Sequence, residues 1–371
     1  MSLAGRQDRD ELRTLLREFL TDRCAEPVVR RAMETESGID PELWAALGRE
    51  LGVCGLAVPT GLGGTGHGIA EVAVVGEELG RVLACVPYLS SVVLGQTVLL
   101  TAGDPAAARR WLPRLASAES RAAVAVLESS GRWEPSGVRT AAIPDRDRWL
   151  LTGDKEFVVD GHSADVVFVL ARTEVGLSFF EVDGRAEGMV RTALPTMDLT
   201  RKQARLELRA TPARLVGGDG AGWDTVARLL PIASVVLAAE SLGGMQRTLE
   251  MSVEYSKVRV QFGRPTGSFQ AIKHKCADML LAVESARSAV YHAAETAATD
   301  RAELPLAASL AAAYSQDAYL DCAAENIQVH GGIGFTWEHP AQLYYKRAQS
   351  NRVLLGDPVF HRALAAEVIG L

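Results

Sequence analysis

The sequence predicts a mostly α-helical protein with a β domain in its middle, and three observations carry that reading. Apolar residues recur at helical spacing through residues 1–118. From residue 119 the pattern changes to short β-rich runs separated by turn residues, ending near residue 217. From Gly222 the helical period returns and persists to the end of the chain. Domains are therefore expected at 1–118, 119–217 and 218–371.

In the first part, Leu12, Leu15, Leu16, Phe19 and Leu20 lie at helical spacing. The stretch LWAALGRELGV continues the period, the glycine-rich PTGLGGTGHG interrupts it, and a long apolar helix is expected over 69–83. In the middle part the β-rich runs are 122–127, 149–152, 157–159, 166–171, 177–182 and 204–208. Between them PDRD, TGD, DGHSAD and DGRAEG supply turn chemistry, so a small antiparallel β domain is expected. The last part fits four long helices, near 222–259, 269–298, 303–329 and 339–355, and a short one after Pro358. Alanine-rich stretches such as LAASLAAAYSQDAYLDCAAE favour helix, because alanine has no side-chain freedom to lose.

Composition narrows the function classes. The 371 residues are 48% hydrophobic and 23% charged, ordinary for a globular protein with a large core. A net charge of −7 argues against a nucleic-acid surface. Apolar runs such as 229–239 are too short to span a membrane. The N-terminal MSLAGRQDRDELRTLL has no apolar signal core, so a cytoplasmic location is expected. Cys24, Cys54, Cys85, Cys276 and Cys322 lack metal-ligand spacing and read as buried reduced thiols; no metal is expected.

The most informative stretch is YSKVRVQFGRPTGSFQAIKHKCADM, residues 255–279. It joins two helices through a tight Gly263-Arg264-Pro265 corner and places Arg259, Gln261 and Gln270 around it, with Phe262 and Phe269 between them. A guanidinium offers several donors in a planar fork, which suits a pyrophosphate. A second stretch, QVHGGIGFTWEHPAQLYYKR over 328–347, carries Gly331, Gly332 and Gly334, which let a backbone approach a ligand. Glu338 and Pro340 then suit a helix start.

Together these two stretches strongly resemble the flavin-tail signature of the acyl-CoA dehydrogenase family. The similarity extends over nearly the whole chain, including LGVCGLAVPTGLGGTGHGIAEVAVVGEELGR and the helix around Trp111-Leu112-Pro113-Arg114-Leu115. It implies an N-terminal helical domain, a small antiparallel barrel-like β domain and a C-terminal four-helix bundle. It also implies FAD as cofactor, an acyl-CoA as substrate, an oligomer, and an electron-transfer flavoprotein as acceptor. Arg259, Gln261, Phe262, Gln270, Gln328, His330, Gly331, Gly332 and Gly334 would hold the cofactor's tail. In the family a carboxylate takes the proton beside the thioester carbonyl and flavin N5 takes the β hydrogen.

Three departures stand out. Where relatives carry Thr-Glu-Pro-x-x-Gly-Ser-Asp beside the flavin ring, this chain reads Leu127 to Glu134, with Leu127 and Trp133 replacing hydroxyl residues. Where relatives carry Lys-x-Trp-Ile-Thr-Asn, it reads Lys155 to Asp160; Phe157 can still lie against a ring, but Val159 has no hydroxyl. The two usual positions of the catalytic Glu hold Leu355 and Ala233. Nearby carboxylates are Asp357, in a Gly-Asp-Pro turn where helix capping is the alternative, and Glu240, where a paired structural role is the alternative. His330 is expected to touch the cofactor or pack in the glycine turn, His162 to be solvated, and Tyr344 to Arg347 to serve core or interface.

Three readings follow. The chain is a self-sufficient acyl-CoA dehydrogenase using Asp357 or Glu240, a homo-oligomer. Or it is the tail-binding, base-lacking partner in a hetero-oligomer, similar to small subunits that act with a second chain on bulky, often steroid-derived, CoA thioesters. Or it is a redox-silent binding protein of family descent.

Overall fold

The computed structural model describes residues 3–371. The chain begins with α1 (Leu3–Arg23), α2 (Glu26–Glu34), α3 (Pro41–Arg49) and α4 (Ile69–Arg81). A π-helical segment, Tyr88–Gly95, runs into α5 (Gln96–Thr101), and α6 (Pro105–Ala116) follows. Asp40 and Asp104 start α3 and α6 by accepting the free amides of the first turn, each just before a proline.

The strands are β1 (Ala122–Ala125), β2 (Ala141–Asp145), β3 (Arg148–Val159), β4 (Val166–Arg172), β5 (Leu177–Asp183), β6 (Met189–Ala193) and β7 (Gln203–Val216). Pairing runs β4–β2–β3–β7–β5 and returns to β4, so the sheet closes on itself, with β6 beside β7. Neighbours are antiparallel except at β4, which meets β1 over four residues and β2 at one residue in parallel. Long connections separate these parallel partners, as parallel pairing requires. Leu151, Val167, Val169, Phe180, Val182 and Leu206 fill the interior.

The remainder comprises α7 (Gly222–Val258), the two-residue strands β8 (Val260–Gln261) and β9 (Arg264–Pro265), α8 (Gln270–Thr299), α9 (Leu304–His330), α10 (Ala341–Leu354) and α11 (Pro358–Val368). The chain divides into two compact units: one holds the chain up to Arg30, 69–84 and 234–371, the other 31–68 and 85–233. In the first unit α4 and α7 touch backbone to backbone. A Cβ on Gly80 would lie 2.1 Å from the Glu240 carbonyl oxygen, and one on Gly243 1.8 Å from that of Glu77.

One expectation changes. The runs 149–152 and 157–159 form one strand, β3, because Gly153, Asp154 and Lys155 pair with β7. The run 229–239, too short by itself to span a membrane, lies within the helix expected over 222–259, and that helix, α7, is 37 residues long. Among the described residues α7 alone is long and apolar enough to cross a membrane, and 72% of its most apolar window is buried inside the fold.

Candidate functional site

At the end of α7 the backbone turns sharply: the Arg259 amide donates to the Tyr255 carbonyl (2.9 Å) and the Thr266 amide to the Arg259 carbonyl (2.7 Å). The β8–β9 hairpin that follows carries Phe262 at φ +53° with 92% of its surface exposed. Arg259, Gln261 and Gln270 are exposed too. Arg264 lies over the Phe269 ring at 4.2 Å, which holds the corner in shape. Among the described residues the Arg259 guanidinium has no hydrogen bond or ion pair.

The glycine turn sits close to this corner. His330, the last residue of α9, bonds through Nδ1 to the Asn326 carbonyl (2.8 Å) and packs between Tyr255 (4.4 Å) and His339 (4.3 Å). Tyr255 is one helical turn before Arg259, so this stack fixes the turn against the end of α7. Burial lowers the pKa of both histidines, which favours neutral imidazoles. Gln328 is exposed, and Gly334 is sterically required, since a Cβ there would lie 2.9 Å from the Ile327 carbonyl oxygen. Gly332 differs: it lacks a positive φ and nothing lies within 4 Å of its missing Cβ. This chain's own packing leaves Gly332 unexplained, whereas a ligand laid against the backbone would explain it. A guanidinium unpaired among the described residues and an open glycine backbone, linked through the Tyr255–His330 stack, fit a flavin's phosphate-bearing tail.

On the β domain, Phe157 has φ +58° and is 43% exposed, at a register shift between β3 and β7. Val159 is buried, as is Lys155, which is 0% exposed. The Lys155 Nζ donates to Glu128 Oε1 (2.8 Å) and to the Val126 carbonyl (3.1 Å). Burial pulls the Lys155 pKa down to about 8 against the attraction of Glu128. Burial alone would raise the Glu128 carboxyl, but Lys155 and hydrogen bonds from Thr140 outweigh it and hold it below its ordinary value. Reading the sequence for hydroxyls at 127 and 133 missed this pair. The available signal was a lysine four residues after Leu151, in the same alternating register on the strand and equally buried.

Both family base positions are apolar and buried, Ala233 at 0% and Leu355 at 2% exposure. Asp357 is exposed and caps α11, accepting the Phe360 amide at 2.8 Å. Glu240 is buried; its Oε1 accepts from Arg347 Nη1 (2.9 Å) and Asn351 Nδ2 (3.2 Å). Arg347 and Asn351 lie one turn apart on α10, so both reach the same carboxylate. Tyr344 is buried with its hydroxyl on the Arg81 carbonyl (2.7 Å), while Lys346 lies over Trp337. His162 is not solvated as expected: its Nε2 lies 3.1 Å from the Ser37 carbonyl oxygen, a partner remote in sequence.

A closed small barrel, long helices and an exposed arginine corner beside a glycine turn are the parts that the resemblance to a flavoprotein oxidoreductase implies. The model of the acyl-CoA dehydrogenase N-terminal domain matches residues 6–119, and that of the acyl-CoA dehydrogenase C-terminal domain matches 220–370. The chain belongs to the acyl-CoA dehydrogenase family. It is 36% identical over 363 residues to acyl-CoA dehydrogenase IpdE2 of Mycolicibacterium smegmatis, covering 96% of this chain and 99% of that protein. Among solved structures it resembles the ChsE4-ChsE5 complex from Mycobacterium tuberculosis, at 30% identity, TM-score 0.88, and 98% and 97% coverage of the two chains. It likewise resembles a variant of the Tcur3481-Tcur3483 steroid acyl-CoA dehydrogenase, at 30% identity, TM-score 0.88, and 98% coverage of each chain.

Proposed function

We propose that the chain is the tail-binding, base-lacking subunit of a heteromeric, FAD-dependent acyl-CoA dehydrogenase, which introduces a double bond between the α and β carbons of an acyl-CoA thioester. The observation that carries this reading is the combination of an exposed Arg259, without a side-chain partner among the described residues, with Ala233 and Leu355 at the two base positions. A second chain supplies the base. Arg259 holds the pyrophosphate with Gln261 and Gln270, while Phe262, Gln328, His330 and the backbone of Gly331, Gly332 and Gly334 line the rest of the tail. FAD, when bound, supplies the two-electron acceptor. Asp357 serves as a helix cap and Glu240 as the buried partner of Arg347, in line with their contacts. The names of the similar two-chain and steroid structures favour a bulky, steroid-derived acyl group. An electron-transfer flavoprotein is the expected acceptor and the cytoplasm the expected location. The 1–118, 119–217 and 218–371 division belongs to the same reading, and the matched spans 6–119 and 220–370 support it.

The test is turnover with an artificial electron acceptor. The purified chain alone should show little or none, and the chain purified with its partner subunit should show it. Robust turnover by the chain alone, abolished by Asp357→Asn or Glu240→Gln, would overturn the proposal and name the base. A mass measurement finding only monomer with FAD bound would do the same for the assembly.

A further inference from the structure

We propose that the space between α1, α4 and α8 is a binding site for a small neutral molecule, largely hydrocarbon and carrying one carbonyl or hydroxyl oxygen. The inference goes beyond the flavin reading and does not depend on it.

These helices, with α7 behind them, line a chamber of about 520 Å³. Small-molecule sites usually measure about 300–1,000 Å³. The walls are Ala70, Ala73 and Val74 of α4, Ala239 of α7, and Val290 and Ala294 of α8, all of them buried. Interiors pack closely and leave few voids larger than a water molecule. Leucine is nearly as good a helix former as alanine and would fill this space, so neither packing nor helix propensity asks for alanine at four of the six wall positions. An occupant does.

α1 spans the chamber with two arginines one helical turn apart, about 6 Å along its axis. Arg9 bridges α4 and α8, donating through Nη1 to Glu71 Oε1 (3.1 Å) and through Nη2 to Glu295 Oε2 (3.3 Å). Arg13 bridges the same two helices, its Nη2 donating to Glu77 Oε2 of α4 (3.4 Å) and to the Tyr291 hydroxyl of α8 (2.8 Å). Struts at this spacing admit a slim molecule and exclude a folded chain.

The charges around the chamber are satisfied among themselves. Arg13 Nη1 also donates to Asp10 Oδ1 (2.7 Å), and Glu77 accepts in addition from Arg287 Nη1 (3.2 Å) and the Tyr291 hydroxyl (3.1 Å). A charged ligand would have to break one of these pairs, whereas a neutral one would not. One donor is left over: Arg13 Nε is buried and has no hydrogen-bond partner among the described residues. A buried donor left unmatched is costly, and a carbonyl or hydroxyl oxygen would satisfy it. The alanine walls thus select an apolar body and the arginine roof a single accepting oxygen.

The experiment uses the full chain, in the assembly in which it purifies, and three probes of one ring size: 2-naphthol, naphthalene and the anion 2-naphthoate. 2-Naphthol should bind saturably at sub-millimolar concentration, raise the unfolding midpoint, and slow amide exchange at residues 70–77 of α4 and 290–295 of α8. 2-Naphthoate should bind about tenfold more weakly or worse. Ala73→Leu and Ala294→Leu fill the chamber from two different helices, and each should weaken 2-naphthol about tenfold or more, with helical content by circular dichroism unchanged. Arg13→Lys keeps the charge but removes Nε, so it should weaken 2-naphthol about three- to tenfold and leave naphthalene alone; a merely structural role would weaken both. No saturable 2-naphthol binding, exchange that does not slow at the two named segments, 2-naphthoate binding as tightly as 2-naphthol, or wild-type binding in both leucine variants would each overturn the proposal. The probe and exchange comparisons need only the wild-type chain, so they decide the matter even if a filled variant fails to fold.

Discussion

Replacing Arg347 by methionine should reveal what Glu240 is for. Methionine keeps much of the arginine stem's volume but strips Glu240 of its cation, both side chains being buried in the fold, at 2% and 9% exposure. At the observed 2.9 Å separation, an effective dielectric near 20 puts the lost attraction at about 6 kcal/mol. The protein need not bear all of that, because Glu240 keeps the hydrogen bond from Asn351 and can take up a proton. Neutralising a glutamate at pH 7 costs about 3.7 kcal/mol from its reference titration point of about 4.3. The expected destabilisation is therefore about 3–4 kcal/mol at pH 7, within the usual range for breaking a buried pair. Proton uptake also makes it pH-dependent, falling to about 1 kcal/mol at pH 5. Chemical denaturation of wild type and Arg347→Met at the two pH values measures this directly. A loss below about 1 kcal/mol at pH 7, or one that does not shrink at pH 5, would refute the structural assignment of Glu240 and return it to the list of possible bases.

Three further outcomes are expected. His361 is 1% exposed and burial lowers its pKa to about 4, below its ordinary 6.5. Its contribution is complete above pH 6.5 and is lost as the pH falls toward 4, about 3 kcal/mol in all, so His361→Leu should flatten stability over that window. Asp357→Ala should cost about 1 kcal/mol by removing the α11 cap, yet leave turnover of the assembled enzyme near wild type; a loss of several orders of magnitude would identify a base instead. Gly332→Ala should leave the unfolding midpoint of the chain unchanged, since nothing crowds the new methyl group, while flavin retention by the complex drops; unchanged retention would remove Gly332 from the tail site.

The helices were the most legible part of the sequence. The four long C-terminal helices end within about two residues of expectation, because Gly222, the Gly-Arg-Pro corner, Gly331 and Pro358 punctuate a clear 3.6-residue period. The sheet was harder to read. β3 looked like two strands because Thr-Gly-Asp mimics a turn, whereas Gly153 and Asp154 stay in the ladder beside β7. β2 and β6 were missed because both are short and largely exposed, and β2 carries Pro144. The same contrast holds at the site. Arg259 and Gly332 are legible because neither is a residue type that the packing of the described residues asks for. The Glu128–Lys155 pair is invisible in one dimension, since two charges separated by 27 residues announce nothing until the barrel closes around them. Glu240 and Asp357 could be named as carboxylates, but only the fold supplies the arginine and the helix start that occupy them.

The central claim is that Arg259 grips a flavin tail in an assembly that this chain cannot complete alone. The most direct measurement is FAD affinity of the chain with its partner subunit, wild type against Arg259→Ala. Loss of a charge-assisted contact of about 1.5–3 kcal/mol predicts binding weaker by about 10- to 150-fold, with the complex still assembled. FAD bound by Arg259→Ala with unchanged affinity would contradict the account.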